Sequence, residues 1–142
     1  MTAAVWKLAG KKASLRRRQA IVAAIRDFFY ARDFLEVETP NRIPAPAPEV
    51  YVDSFPSGTW FLHPSPEVCM KRLLAAGYER LFQICKCYRE GERGRRHLPE
   101  FTLLEWYRAG EDYTALMADC ENLIADTAQR LALGRCFVYQ GQ

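Results

Sequence analysis

No stretch of this sequence approaches the roughly 18 consecutive apolar residues a membrane helix requires, so a membrane span is not expected. The opening residues, MTAAVWKLAGKK, lack a basic segment leading into an apolar run, which argues against a secretory signal. Charge of one sign is not in surplus. Twenty Lys+Arg face 17 Asp+Glu, and a net +3 is too mild to mark a nucleic-acid binder by itself. There is no internal repeat and no low-complexity tract. Cysteine is limited to Cys69, Cys85, Cys87, Cys120 and Cys136. An odd number without a signal peptide reads as reduced thiols of a cytoplasmic protein and excludes a disulfide-stapled mini-protein. Cys85-x-Cys87 lacks the usual two-residue gap of a zinc half-site, and no second Cys/His pair adjoins it. Both read as buried small hydrophobes, and no metal ligand is assigned.

What remains is ordinary globular material: 142 residues, 49% apolar and 26% charged. A chain of this size can bury about 68–70% of its unfolded surface. Ser14 to about Arg32 reads as a helix capped by Ser14, with Ile21, Ile25, Phe28 and Phe29 on one face. Arg16, Arg17 and Arg18 near its start oppose the helix dipole, which suggests a docking face for an acidic partner. Leu35 to Pro40 alternates apolar and polar and stops at proline, as a short strand does. Pro40, Pro44, Pro46 and Pro48 mark an extended loop. Val50–Val52 and Thr59–Leu62, flanking Pro56-Ser57-Gly58, read as a hairpin. Ser65-Pro66-Glu67 reads as N-cap, N1 and first-turn acid of a second helix ending at Gly77.

Leu81–Tyr88 and Glu100–Tyr107 predict a long antiparallel hairpin with a basic, glycine-containing turn. Asp112 caps a last helix, whose predicted buried face is Leu116, Cys120, Leu123, Ile124, Thr127 and Leu131. The closing RCFVYQGQ begins a possible further strand. The expectation is an α+β fold, an antiparallel sheet flanked by helices. Residues 1–13 are read as an N-terminal extension and 14–142 as a single domain portion.

The hairpin carries the chemistry. Strand alternation sends Phe101, Leu103, Glu105 and Tyr107 to one face. A carboxylate between a ring and a phenol is costly to bury unpaired, so it calls for a cation. That cation is either one of the chain's own arginines or a ligand ammonium. Arg89, Arg93, Arg95, Arg96 and His97 in the turn suit a polyanion, and Phe101 offers a flat face to a base.

The string from Tyr88 to Tyr107, YREGERGRRHLPEFTLLEWY, resembles motif 2 of class II aminoacyl-tRNA synthetases, more narrowly their lysyl branch. Leu35 to Pro40 resembles motif 1, and Ser65-Pro66-Glu67 with Met70-Lys71-Arg72-Leu73 resembles the helix beside the amino-acid pocket. Only about thirteen residues precede the first helix, too few for an anticodon-binding barrel. The start therefore resembles the stand-alone elongation factor P–(R)-β-lysine ligases. That resemblance implies a partial class II catalytic core using ATP with Mg²⁺. It implies lysine or β-lysine as substrate, elongation factor P as acceptor (tRNA-Lys in the lysyl-tRNA synthetase alternative), and a homodimer formed through motif 1. It assigns Arg89 to the α-phosphate, His97 to the outer phosphates and Phe101 to adenine. It assigns Glu105 and Tyr107 to the side-chain ammonium, and Ser65 and Glu67 to the other amino group. The family's Arg-x-Glu is altered here. Gly91 takes the third position, leaving Glu90 or Glu92 for the adenine contact, and Leu98 replaces an asparagine. None of the eight glycines forms the G-x-G of motif 3, so the site is expected to be incomplete. A non-catalytic dimerising module is the reading from another class.

Overall fold

The computed structural model describes residues 8–134. The expected strand in 135–142, and Cys136, lie outside them. The chain divides into two compact units. One is Phe34–Gly110, and the other joins Met1–Asp33 to Glu111–Gln142.

The described residues of the second unit include two long helices. Helix α1 spans Lys12–Tyr30 and buries Ala24, Phe28 and Phe29, while Ile21 and Ile25 are half-buried. The apolar spacing thus found the correct face. The start differs from expectation, because the helix begins before Ser14 and has no side-chain cap. Lys12 and Ala13 are therefore helical, and Arg16–Arg18 fall past the first turn, where the dipole has largely faded. The mismatch that suggested a docking face for an acidic partner is correspondingly weaker. Phe28 is fully buried, meets Phe29 edge-on at 5.2 Å, and has the Arg32 guanidinium 3.6 Å from its ring centre.

The last helix, labelled α3 below, runs Tyr113–Arg130, with the Asp112 carboxylate accepting from Thr114 N–H at 2.9 Å, as its position predicted. Its buried face is corrected. Asp119, Leu123 and Ala128 are buried, whereas Leu116, Cys120 and Ile124 are exposed. Leu123 is buried as expected and Thr127 and Leu131 are half-buried, but the face turns toward Asp119 and Ala128 and away from Leu116, Cys120 and Ile124. Arg130 bridges to Asp126 at 2.7 Å and to Asp27 of α1 at 3.0 Å, tying the two helices at their surface.

The Phe34–Gly110 unit holds two small sheets. Strands β1 (Leu35–Glu36), β5 (Arg80–Tyr88) and β6 (Glu100–Arg108) lie in the order β1-β5-β6. The predicted hairpin is present: β5 and β6 pair antiparallel over nine residues, from Arg80↔Arg108 to Tyr88↔Glu100. β1 adds to β5 in parallel, Leu35↔Leu81. As the central strand, β5 is covered on both faces, and Leu81, Phe82, Gln83 and Cys87 are all buried. The Gln83 side chain accepts from Thr39 N–H at 3.3 Å and so fastens the chain after β1.

The second sheet is ordered β2-β4-β3, from Arg42–Ile43, Trp60–Leu62 and Pro56–Ser57. This corrects the expected hairpin. Val50–Val52 is not an arm, and Pro56–Ser57, read as its turn, is the strand that pairs with β4. Arg42 explains part of the shift, since its guanidinium holds the Ser57 carbonyl at 2.8 Å. Helix α2 spans Glu67–Ala75, one residue later than expected, and buries Met70. Gly77, with φ +96, supplies the left-handed turn that ends it, as Gly commonly does.

Candidate active site

The site is built on one face of the β5–β6 hairpin. Directly paired residues share a face, so Phe101, Leu103, Glu105 and Tyr107 stand beside Cys87, Cys85, Gln83 and Leu81. At the Glu105 end, α2 approaches. Ser65 Oγ accepts from the Glu67 N–H at 3.1 Å, so it caps the helix despite lying one residue outside the nearest cap position. The same hydroxyl donates to Glu105 Oε2 at 2.6 Å, and Tyr107 donates its phenol to Oε1 at 2.5 Å. Each carboxylate oxygen thus has one hydroxyl donor and a further lone pair to offer. No lysine or arginine among the described residues forms an ion pair with Glu105. Among the described residues, none of the chain's arginines supplies the cation that the sequence left open.

Burial, then the hydrogen bond to Glu105, then the charges of Glu105 and Glu67, push the Tyr107 phenol far above its ordinary range. It therefore remains a donor at any physiological pH. Glu67 pairs with Lys71 one turn along α2, and this contact raises the lysine. Ser65, Glu67, Glu105 and Tyr107 form one anionic cluster.

At the other end of the hairpin, Arg89 leaves β5. Its guanidinium donates to the Pro64 carbonyl at 3.3 Å, lies 3.7 Å from Glu92 and sits 5.1 Å from the centre of the Phe101 ring. A cavity of about 200 Å³ opens there, lined by Arg89, Glu92, Arg96, His97, Leu98 and Phe101. Guanidinium, imidazole and a flat ring on one small cavity suit a phosphate joined to a base. Glu90 is placed elsewhere: its backbone N–H donates to the Asp53 carbonyl at 2.8 Å, and it does not line the cavity. Gly91 has φ +76, a left-handed conformation that a glutamate would enter only with strain. Gly91 thus sets the turn, and Glu92 is the acid that the turn carries to Arg89.

Phe101 and Glu105 are four residues apart on one strand, about 13 Å at the usual rise. A ribose phosphate with a short acyl chain can bridge that gap along β6.

Sequence reasoning missed His63. It is fully buried, and its Nε2–H donates to the Lys86 carbonyl at 2.7 Å. Nothing local announced it, since it lies 22 residues before Cys85 and its strand was only coarsely placed. Pro64, which orients Arg89 through a main-chain carbonyl, was equally invisible.

Residues 6–136 match the family described as tRNA synthetases class II (D, K and N). The chain is 44% identical over 134 residues to the elongation factor P–(R)-β-lysine ligase of Pseudoalteromonas translucida, covering 87% of this chain and 41% of that protein. It is 35% identical over 150 residues to the ligase of the same name from Photobacterium profundum, covering 95% and 46%. To that of Pectobacterium atrosepticum it is 39% identical over 148 residues, covering 94% and 46%. The chain therefore spans somewhat under half the length of these relatives. The motif 2 hairpin, the helix that follows Ser65 and the matched span agree: the chain belongs to the class II tRNA synthetases (D, K and N) and carries part of their mixed α/β catalytic domain.

Proposed function

We propose that this chain contributes the nucleotide- and amino-acid-recognising part of a ligase that activates (R)-β-lysine, or lysine, with ATP. The acyl group then passes to a lysine of elongation factor P. The observation that carries this reading is the Glu105 carboxylate, which has no cation partner among the described residues and is held by Ser65 and Tyr107 on the same strand face as Phe101. Two carboxylates match the two ammonium groups of lysine or β-lysine. The relatives' printed names support the choice of acceptor.

In this reading Phe101 stacks on adenine, Glu92 contacts its edge and His97 lies toward the outer phosphates. Arg89 holds the α-phosphate. The substrate carboxylate attacks that phosphorus, pyrophosphate leaves, and an acyl-adenylate forms. Negative charge grows on the phosphoryl oxygens as it does so, and a fixed guanidinium stabilises it without reorganising. The acceptor amine then attacks the acyl carbon and AMP departs. Mg²⁺ would come with the ATP phosphates and supply charge neutralisation. The described residues offer no oxygen-rich cluster dedicated to it, and their one candidate metal-ligating group is sulfur-rich.

The test is binding and exchange measured side by side. Calorimetry with β-lysine, lysine and norleucine should show preference for the two diamino acids. Pyrophosphate exchange into ATP should follow the same order wherever it is detectable. Equal affinity for norleucine would remove the ammonium role of Glu105. Acyl transfer to tRNA in place of elongation factor P would favour the tRNA-charging alternative.

A further inference from the structure

The hairpin face contains a second cluster that the ligase reading does not use. Strand alternation puts Cys85 and Cys87 on the same side of β5, and their Sγ atoms are 3.8 Å apart. His63, from the chain just after β4, completes the group: its ring nitrogen and the two sulfurs all lie within 4.8 Å of one another. His63 and Cys87 are fully buried and Cys85 is half-buried.

The histidine is oriented as a ligand would be. Its Nε2–H is engaged by the Lys86 carbonyl, which can only accept, so the neutral ring carries its free lone pair on Nδ1. Nδ1 is buried and makes no well-formed hydrogen bond, the Cys85 thiol being the polar group that faces the ring. An orphaned buried nitrogen is costly and uncommon in folded proteins, and it calls for an explanation. Metal-ligating histidines characteristically donate their other N–H to a carbonyl or carboxylate, which is the arrangement at Lys86. The sulfurs are spaced correctly as well. Two thiolates at ~2.3 Å from a tetrahedral zinc stand about 3.8 Å apart. A ligating nitrogen would stand about 3.6 Å from each sulfur, so closing from at most 4.8 Å takes a movement of roughly an ångström.

We propose that His63 Nδ1, Cys85 Sγ and Cys87 Sγ form a site for a borderline-soft divalent cation of the zinc class, with a fourth position left for water or a ligand group. The donor set of one imidazole and two thiols selects such an ion over Mg²⁺. Binding exchanges two protons for one dication, so the local charge is unchanged. The carboxylate of Glu105 nearby then keeps its attraction for an ammonium group. The proposal stands independently of the ligase reading, because it concerns only these three donors.

The experiment uses the 142-residue chain, fully reduced, titrated with Co²⁺ and then with Zn²⁺. One equivalent of Co²⁺ should produce thiolate-to-cobalt charge-transfer absorption and intense tetrahedral bands, and Zn²⁺ should abolish both. His63→Ala, Cys85→Ser and Cys87→Ser should each weaken the ion by more than the roughly 10–100-fold typical of changes one shell further out. Cys120→Ser, outside the cluster, should change nothing. Because a buried substitution can disturb folding, alkylation of the unaltered protein provides a second measurement. Zinc should shield the half-buried Cys85 from iodoacetamide while the exposed Cys120 stays reactive. Absence of a one-equivalent thiolate band overturns the site. So does a band that survives loss of either cysteine, or alkylation at Cys85 that zinc leaves unchanged.

Discussion

Replacing Glu105 by glutamine isolates one atom's worth of chemistry. The shape is kept and the charge is removed. Both hydroxyl partners survive the change, because one goes on donating to the amide oxygen while the other rotates its O–H and accepts from the new NH2. The fold should therefore lose little, within about 1 kcal/mol, the worth of one neutral hydrogen bond. Ligand recognition should lose much more. A hydrogen bond to a charged partner contributes about 1.5–3 kcal/mol, so lysine or β-lysine should bind about 10–150-fold more weakly. Norleucine, which has no terminal ammonium, should bind E105Q and the unaltered chain alike. ATP should be unaffected, because Arg89 and Phe101 form their cavity about 13 Å further along the strand. The assay is calorimetric titration of each ligand against both proteins, with circular dichroism to verify the fold. A parallel loss of ATP and lysine binding would refute the reasoning, since it would mean that Glu105 holds the sheet together rather than a ligand. Unchanged discrimination between lysine and norleucine would refute it too.

Three further outcomes are expected. Phe101→Ala should weaken ATP by about 5–150-fold, the loss of one base stack, and leave lysine binding intact by the same calorimetry. Phe28→Ala should cost about 3–5 kcal/mol in urea unfolding, because the ring is fully buried and its loss leaves Phe29 and Arg32 without that contact. The raised Tyr107 phenol makes stability depend on alkaline pH. Its contribution is complete below the ordinary value of 10.0 and falls above it, because the unfolded chain ionises first. Unfolding midpoints measured across that range should fall more steeply for the unaltered chain than for Tyr107→Phe, and identical slopes would contradict this.

The sequence made the hairpin readable because two codes agreed there: a period of two along each strand and a basic, glycine-containing turn between them. The caps at Ser65 and Asp112 were readable for a similar reason, since a side-chain oxygen meets an amide only two residues away. Arg89, Glu92, His97 and Phe101 were then brought together by a turn short enough to keep them neighbours. What failed was non-local. Leu116, Cys120 and Ile124 formed a credible apolar stripe, yet α3 buries Asp119 and Ala128, because the packing partner decides which stripe is used. Pro56–Ser57 looked like a turn until Arg42, 15 residues earlier, took hold of its carbonyl. Cys85-x-Cys87 lacked a companion pair in the sequence, and only the fold supplies His63.

The parallel seam between β1 and β5 has a consequence for the order of assembly. The β5–β6 ladder closes across a turn of about a dozen residues, whereas Leu35 must find Leu81 across a loop roughly four times longer. Closing that longer loop costs about 1.2 kcal/mol more in chain entropy. β1 contributes only two residues to offset it, helped by the Val37 N–H on the Phe82 carbonyl at 2.9 Å. The hairpin should thus form first and the seam last, and in the native protein the seam should open most often. The amide of Val37 would then exchange with solvent well before those in the middle of β5. A molecule built this way sets its long hairpin before it completes the seam with β1.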